Sequence, residues 1–249
     1  MRAIISDIHS NAEAFSAVLE DIDKQGISEI ICLGDVIGYG PDPRECIKLA
    51  MSFGICLRGN HEDALLNIAI DFNMDAAAAI DWTRNQLNDK THPKAENHML
   101  WNYLDKMVEK KTMEDSLFVH GSPKLPTREY IRPIDITDPA KMRGIFSMIS
   151  KLCFCGHTHE PGIFTEELKF HPPTVINGYL RFPPDKKYII NVGSVGQPRD
   201  RDNRACYATY DGDTVRFHRV KYDYEATMKK ILEIPDLSPR LAYRLKEGR

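Results

Sequence analysis

The chain has 249 residues, 42% of them hydrophobic, and sets 33 Lys and Arg against 36 Asp and Glu for a formal net charge of -3. That is enough apolar material for one large core or two small ones, and a single domain over residues 1–249 is the expectation for an α/β chain of this length. The near-neutral balance gives no support to a nucleic-acid or membrane partner, both of which usually leave a basic excess or patch.

The N-terminus, MRAIISDIHSN, is interrupted by Asp7 and His9 too soon for a signal peptide, and no window reaches the ~18 consecutive apolar residues of a membrane span. A soluble, cytoplasmic protein is expected. Six cysteines without a regular framework fit reduced thiols. Cys32, Cys56, Cys153, Cys155 and Cys206 lie in apolar, strand-like runs and read as small buried hydrophobes.

In chain order, RAIISD is a short buried strand, followed by a helical pattern in which Phe15, Val18, Leu19 and Ile22 recur at i, i+3, i+4 and i+7, with Asn11 as N-cap. SEIICLGD is a second strand. PDPRECIKLAM opens a second helix, with Asp42 as cap, Pro43 at the first position and Glu45 at capping-box spacing. GICLRGN is a third strand. This rhythm predicts a parallel sheet with right-handed crossovers, whose ligands gather beyond the carboxyl ends of the strands. Residues 65–113 turn polar and helical, with Pro93 in a break between two amphipathic helices, and read as an insertion or cap beside the site. DSLFVHGSP returns to strand, a helix follows near 138–150, and KLCFCGHTH is strand again. The remainder reads as antiparallel strands with Asp211, Gly212 and Asp213 in a hairpin turn, ending in a short basic helix over 236–249. Trp82 and Trp101 fall in helical patterns and read as packing residues. His92, His98, His171 and His218 match no pattern and read as surface residues.

Polar residues punctuate the strand ends: Asp7 with His9, Asp35, Asn60 with His61, His120, and His157 with His159. Taken singly, each reads as well as a cap or a turn residue. Together they offer carboxylate, imidazole and amide oxygen without thiolate, a donor set for Mn, Fe, Zn, Co or Ni. They exceed what one ion needs, and two ions about 3.5 to 4 Å apart would use them in a clamp suited to phosphate esters. Cys153, Cys155, His157 and His159 share one face of an extended strand, but a zinc site written there fails on distance. Six steps of about 3.3 Å span roughly 20 Å, whereas ligands must all come within about 2.3 Å of one ion.

The ordered motifs D-I-H, G-D, R-G-N-H-E, V-H-G and G-H-T-H over residues 7–159 resemble the calcineurin-like metallophosphoesterase family. The resemblance implies a four-layer α/β/β/α sandwich, two mixed sheets face to face with helices outside. It implies two divalent ions, with Mn or Fe favoured: Asp7, His9 and His159 for the first, Asn60, His120 and His157 for the second, and Asp35 as the bridge. His61 resembles the family's catalytic histidine, which protonates the leaving oxygen. The implied reaction is hydrolysis of phosphodiesters or phosphomonoesters, by in-line attack of a hydroxide held by the metals on a small phosphate-ester or nucleotide substrate.

Protein serine/threonine phosphatases of this superfamily continue the G-D motif as G-D-x-V-D-R-G, with an acid that orients the catalytic histidine and an arginine for phosphate. Here Gly38 and Tyr39 occupy those places, so nothing in the motif orients His61. The layout, with GDVIGYGPDP early and NVGSVGQPRDRD late, is most similar to the bacterial phosphodiesterase and diadenosine-tetraphosphatase-like group. A dinucleoside polyphosphate hydrolase is therefore an alternative, as is a non-catalytic binding module of the same fold; the oligomeric state is open. Gly193 and Gly196 permit a tight turn whose N–H groups can bind an anion, and Arg199 adds a planar donor for a phosphoryl oxygen. Arg58, just before Gly59 and Asn60, is a second substrate-binding candidate. For Arg199 the plainer reading is a solvated charge among Asp200, Arg201 and Asp202, and for Arg58 a side chain that points away from the site.

Overall fold

The computed structural model describes residues 1–249. Its elements run β1 Arg2–Ile5, α1 Ala12–Lys24, β2 Glu29–Cys32, α2 Pro43–Ala50, β3 Ile55–Cys56, α3 Asn60–Leu66, α4 Met74–Leu87 and α5 Lys94–Asp105. They continue with β4 Lys110–Met113, β5 Ser116–Val119, a 3-10 turn over Pro133–Thr137, α6 Pro139–Ser147, β6 Leu152–Cys155, β7 Gly162–Thr165 and β8 Lys169–His171. β9 Tyr179–Arg181, β10 Tyr188–Asn191, β11 Ala205–Tyr210, β12 Thr214–Val220, α7 Tyr224–Leu232 and α8 Pro239–Glu247 complete the chain.

The strands form two six-stranded mixed sheets, ordered β3-β2-β1-β11-β12-β9 and β4-β5-β6-β10-β7-β8. β1, β2 and β3 are parallel, as are β5, β6 and β10, and the flanking strands run antiparallel. Alternation of side chains assigns each strand residue to a layer. Ile4, Ile31, Phe118, Phe154, Ile190 and Ala208 meet in the core between the sheets. Ala3, Ile5 and Cys32 face outward beneath α1 and α2, and Cys153 and Cys155 face outward beneath α6. This is the two-sheet sandwich flanked by helices that the family resemblance implies.

All six cysteines are free; five are buried and Cys56 is half-buried. Asn11 caps α1 by accepting from the Ala14 N–H at 3.1 Å, and Gly212 turns the β11–β12 hairpin at φ 112°.

Several local expectations need correction. The Asp42 side chain makes no cap on α2, because it accepts from Lys230 Nζ of α7 at 2.9 Å instead. The third strand is only two residues long, and Asn60 and His61 open a helix rather than close a strand. Residues 65–113 hold the end of α3, both α4 and α5, and then a strand, β4, paired antiparallel with β5. β8, β9 and α7 add elements that the sequence pattern does not announce. His218 is no free surface residue: its ring stacks 4.6 Å from Tyr207 and its Nε2 lies 2.9 Å from Thr209 Oγ1.

Candidate metal centre

β1 and β2 end level with each other, so the loops leaving them cross one edge of the first sheet. They are zipped together: the N–H groups of Asp7, His9 and Ser10 donate to the carbonyls of Gly34, Asp35 and Val36 at 3.0, 2.9 and 2.9 Å. From the second sheet, His120 follows β5 and His157 follows β6, tied by the Gly156 N–H to the His120 carbonyl at 2.9 Å. The His157 N–H then reaches across to Asp7 Oδ2 at 3.0 Å.

Five of the seven candidate ligands have left-handed backbones: Asp7, His9, Asp35, His157 and His159, with φ between 49° and 65°. For non-glycine residues that costs of order 1–3 kcal/mol each, and it persists only where the surroundings over-determine it. The loop-to-loop bonds just described supply that determination.

The side chains converge in overlapping groups. Asp7, His9 and His159 offer ligand atoms within 4.8 Å of one another, and so do Asp35, His120 and His157. Asn60 Oδ1 joins the second group, 3.0 Å from His120 Nε2. Asp35 Oδ2 lies between them, 3.7 Å from His9 Nε2 and 3.3 Å from His120 Nε2. All seven candidate ligands are thus brought together.

Three backbone carbonyls decide which imidazole nitrogens are free. A carbonyl only accepts. His9 Nδ1, 3.1 Å from Ile37 O, His159 Nδ1, 2.6 Å from Gln197 O, and His157 Nε2, 3.1 Å from Arg128 O, therefore carry protons there. In the neutral rings the opposite nitrogens are bare lone pairs. His9 Nε2 faces His159 Nε2 at 3.1 Å, lone pair against lone pair, a repulsive contact that a cation between them turns into two ligand bonds. His157 Nδ1 lies 3.1 Å from His120 Nε2, and Asp7 Oδ1 is buried without a hydrogen-bond donor. Facing imidazole lone pairs and an unpaired buried carboxylate oxygen fit divalent cations.

The electrostatics agree. Burial works against the Asp7 and Asp35 charges, yet the surrounding histidines, His159 for Asp7 and His120 for Asp35, hold both carboxylates well below their usual range. Burial lowers His120, but Asp35 outweighs it and pushes that imidazole up to about 9. Burial brings His157 down to about 3 and His61 to about 4, leaving both neutral near pH 7.

His61 stands beside the ligands, with Nε2 3.9 Å from Asp35 Oδ2 and its own N–H donating to Asp35 Oδ1 at 2.9 Å. No acid orients its ring, and Nδ1 is buried without a partner. The ring is held by packing instead, with centroids 4.6 Å from Tyr39, 4.7 Å from His9 and 4.9 Å from Phe72. Gly38 makes room for it: a Cβ there would lie 2.0 Å from Nδ1.

The calcineurin-like phosphoesterase superfamily domain matches residues 1–214 of this sequence. The chain belongs to that superfamily. It is 39% identical over 243 residues to an uncharacterized protein of Methanocaldococcus jannaschii, covering 94% of this chain and 92% of that one. A metallophosphoesterase crystal structure from Sphaerobacter thermophilus superposes with TM-score 0.81 at 35% identity, covering 100% and 98% of the two chains. A hypothetical protein from Pyrococcus horikoshii shares the fold at TM-score 0.76 and 21% identity, covering 100% and 99%.

In this member of the superfamily the two arginine candidates part ways. Arg199 is half-buried near the cluster; its guanidinium lies 5.8 Å from the Tyr39 ring centroid and donates to Gln197 Oε1 at 2.8 Å. Arg58 Nη2 instead donates to the Asp105 carbonyl at the end of α5 at 2.7 Å, which gives it a structural partner. The expected anion-binding turn is not free to bind one. Four of its N–H groups are spent: Gly193 on Asn191 Oδ1, Val195 on the Ser6 carbonyl, Gly196 on the Asp7 carbonyl and Gln197 on Ser194 Oγ. The turn is a clamp on the Asp7 loop, and its glycine allows the approach, since a Cβ on Gly196 would lie 1.7 Å from the Ile8 carbonyl oxygen.

Other supporting residues carry no clear mark in the sequence. Glu62 is buried, and its carboxylate accepts the N–H groups of Asp35 and Gly59 at 2.8 Å each and of Ile37 at 3.2 Å. Burial and the nearby Asp35 push it up to about 7. Asn191 ties Gly156 O and Thr158 Oγ1 at 2.7 and 2.8 Å, steadying the loop that carries His157 and His159. Tyr130 stacks on the His157 ring, with centroids 3.6 Å apart. Glu62 is marked only as the last letter of the R-G-N-H-E motif, which gives it no role.

Proposed function

We propose that this chain is a metal-dependent phosphoesterase hydrolysing phosphodiester or phosphomonoester bonds. Asp7, His9 and His159 would hold one divalent ion, Asn60, His120 and His157 a second, with Asp35 shared between them. The lone-pair contact between His9 and His159 at 3.1 Å carries this reading, because two fixed tautomers aim ring nitrogens at a point where a cation is favourable. Nitrogen and oxygen donors suit Mn, Fe, Zn, Co or Ni, with Mn or Fe favoured.

Bound there, the ions would supply Lewis acidity, lowering the pKa of a water and neutralising charge on phosphoryl oxygens. The protein's own groups do the rest. Arg199 donates to a phosphoryl oxygen through its planar guanidinium. A phosphate anion beside His61 raises its proton affinity from the low value of the free protein, so that Nε2 can protonate the leaving oxygen. Tyr39 and Phe72 hold that ring and exclude water from one side of it.

Asp35→Asn tests the shared ligand. It keeps an oxygen for the His61 N–H but loses the charge, and metal analysis of the purified variant should find both ions depleted, with hydrolysis of a Mn-supplemented diester panel lost. Wild-type metal content in that variant, or a Mn-loaded wild-type protein inert across the panel, would overturn the reading.

A further inference from the structure

Beside the second group of ligands, a hollow opens between residues 68–72 and the Arg128–Tyr130 stretch, with Asn60 and His157 lining one end. We propose that this hollow is the subsite for one ester arm of the substrate, and that it selects a neutral, flat, apolar arm of the aryl or nucleoside kind. The proposal rests on the phosphoesterase reading for the position of phosphorus; the nature of the arm follows from the hollow itself.

Its surface is apolar in an unusual way. Ile68 and Ile70 line it and are 73% and 53% exposed. Single exposed hydrophobes need no explanation, but these two share one hollow that opens beside Asn60 and His157. Nor do they belong to a loose strand of chain. Ala69 and Phe72 anchor the same segment against the main core, and the Ile70 N–H closes a turn on the Ile68 carbonyl at 2.9 Å. On the facing wall, the Tyr130 ring stacks on His157, at 16° to its plane, and the Arg132 guanidinium lies 4.6 Å from its centroid. These two contacts hold the ring in the wall.

Charge decides against an anionic arm. The charged groups lining the hollow are Asp63, Asp71 and Arg128. Arg128 Nη2 is paired with Asp63 Oδ2 at 2.8 Å, which leaves the acid Asp71 in excess. Beyond the proposed ion at the Asn60–His157 end, an arm bearing further phosphates, as in a dinucleoside polyphosphate, meets no spare cation and one extra negative charge. A planar neutral arm meets isoleucine and phenylalanine. Covering about 50 Å² of ring is worth about a tenfold gain in affinity.

The test uses phosphonates, whose carbon–phosphorus bond is not hydrolysed, titrated calorimetrically into the Mn-loaded full-length protein. Phenylphosphonate should bind about tenfold more tightly than methylphosphonate, and 4-carboxyphenylphosphonate should lose that gain. In Ile68→Asp and Ile70→Asp, whose side chains are already exposed and so leave the fold intact, the preference for phenyl should fall to about twofold or less. Equal affinity for phenyl and methyl in the wild type, or a preference that survives both variants, overturns the proposal. Because binding is read without turnover, a protein inactive on every ester can still show the preference. An active one can equally lack it, so the two readings fail separately.

Discussion

Replacing Gly196 with alanine tests whether the site depends on the clamp between the 193–197 turn and the loop after β1. The added Cβ would sit 1.7 Å from the Ile8 carbonyl oxygen, where real contacts begin near 3.0 Å, so the two loops must separate by about 1.3 Å. Of the buried hydrogen bonds across that seam, three are made at Val195 and Gly196: Val195 N–H to Ser6 O at 3.0 Å, Gly196 N–H to Asp7 O at 2.9 Å, and Asn11 Nδ2 to Gly196 O at 2.8 Å. At about 1 kcal/mol each the loss is about 3 kcal/mol, and more if the freed groups stay buried and unpaired. For a chain of this size that lowers Tm by about 6 to 12 °C. The displaced loop carries Asp7 and His9, and the turn carries the Gln197 carbonyl that fixes His159, so metal uptake should fall together with stability. The control is Gly144→Ala in α6, where a Cβ meets nothing within 4 Å. Removing a helix-interior glycine should raise stability by about 0.5 to 1 kcal/mol. Thermal unfolding followed by circular dichroism, paired with Mn titration, reads both variants. A Gly196→Ala protein within about 1 kcal/mol of wild type and with unchanged metal affinity would refute the clamp.

His61→Ala should leave both ions bound and reduce kcat by about 10² or more; loss of an ion would instead make His61 a ligand, as its proximity to His9 and Asp35 allows. Arg199→Ala should raise KM for phosphate esters about tenfold or more, the worth of one charge-assisted hydrogen bond, with metal content unchanged; an unaltered KM returns Arg199 to the role of a surface charge. His120, pushed up to about 9, holds its proton at pH 7.5 and must release it to bind a metal. Calorimetry in buffers of different ionisation enthalpy should therefore find a proton released on Mn uptake, with affinity climbing from pH 7 toward 9; uptake without release counts against His120 as a ligand. The same shift stabilises the metal-free fold below the unfolded histidine value of about 6.5, a contribution that fades as pH rises through about 9.

What the sequence makes legible here is chemistry at fixed places in a rhythm. Asp7, Asp35, His120 and His157 each fall within a few residues of the end of an apolar run, and parallel strands bring such ends to one edge, so the convergence follows from order alone. The parts that stay hidden have identifiable causes. The carbonyls of Ile37, Gln197 and Arg128 that fix three histidine tautomers belong to groups every residue possesses, so side-chain identity does not reveal them. The Gly193–Gly196 spacing signals a turn, but whether its N–H groups are free depends on what packs against it, and here that is Ser6 and Asp7. α7 escapes the apolar period because one inward position is Thr227, which donates to Asn11 Oδ1 at 3.0 Å, and another contact is Lys230 reaching Asp42. β8 and β9 are three-residue edge strands with too few residues to show an alternation.

The division of strands between two sheets has a consequence for how the protein holds together. Each proposed ion draws on both sheets: Asp7 and His9 leave the first and His159 the second, while Asn60 comes from the first and His120 and His157 from the second. Ions held this way act as rivets through the sandwich. Sheets that slide apart must break each ion's bonds to one side, so part of the binding free energy is added to the cohesion of the two halves. A chelator then loosens the whole sandwich, and the protein should unfold as one unit in its loaded state but in a broader, earlier transition once stripped.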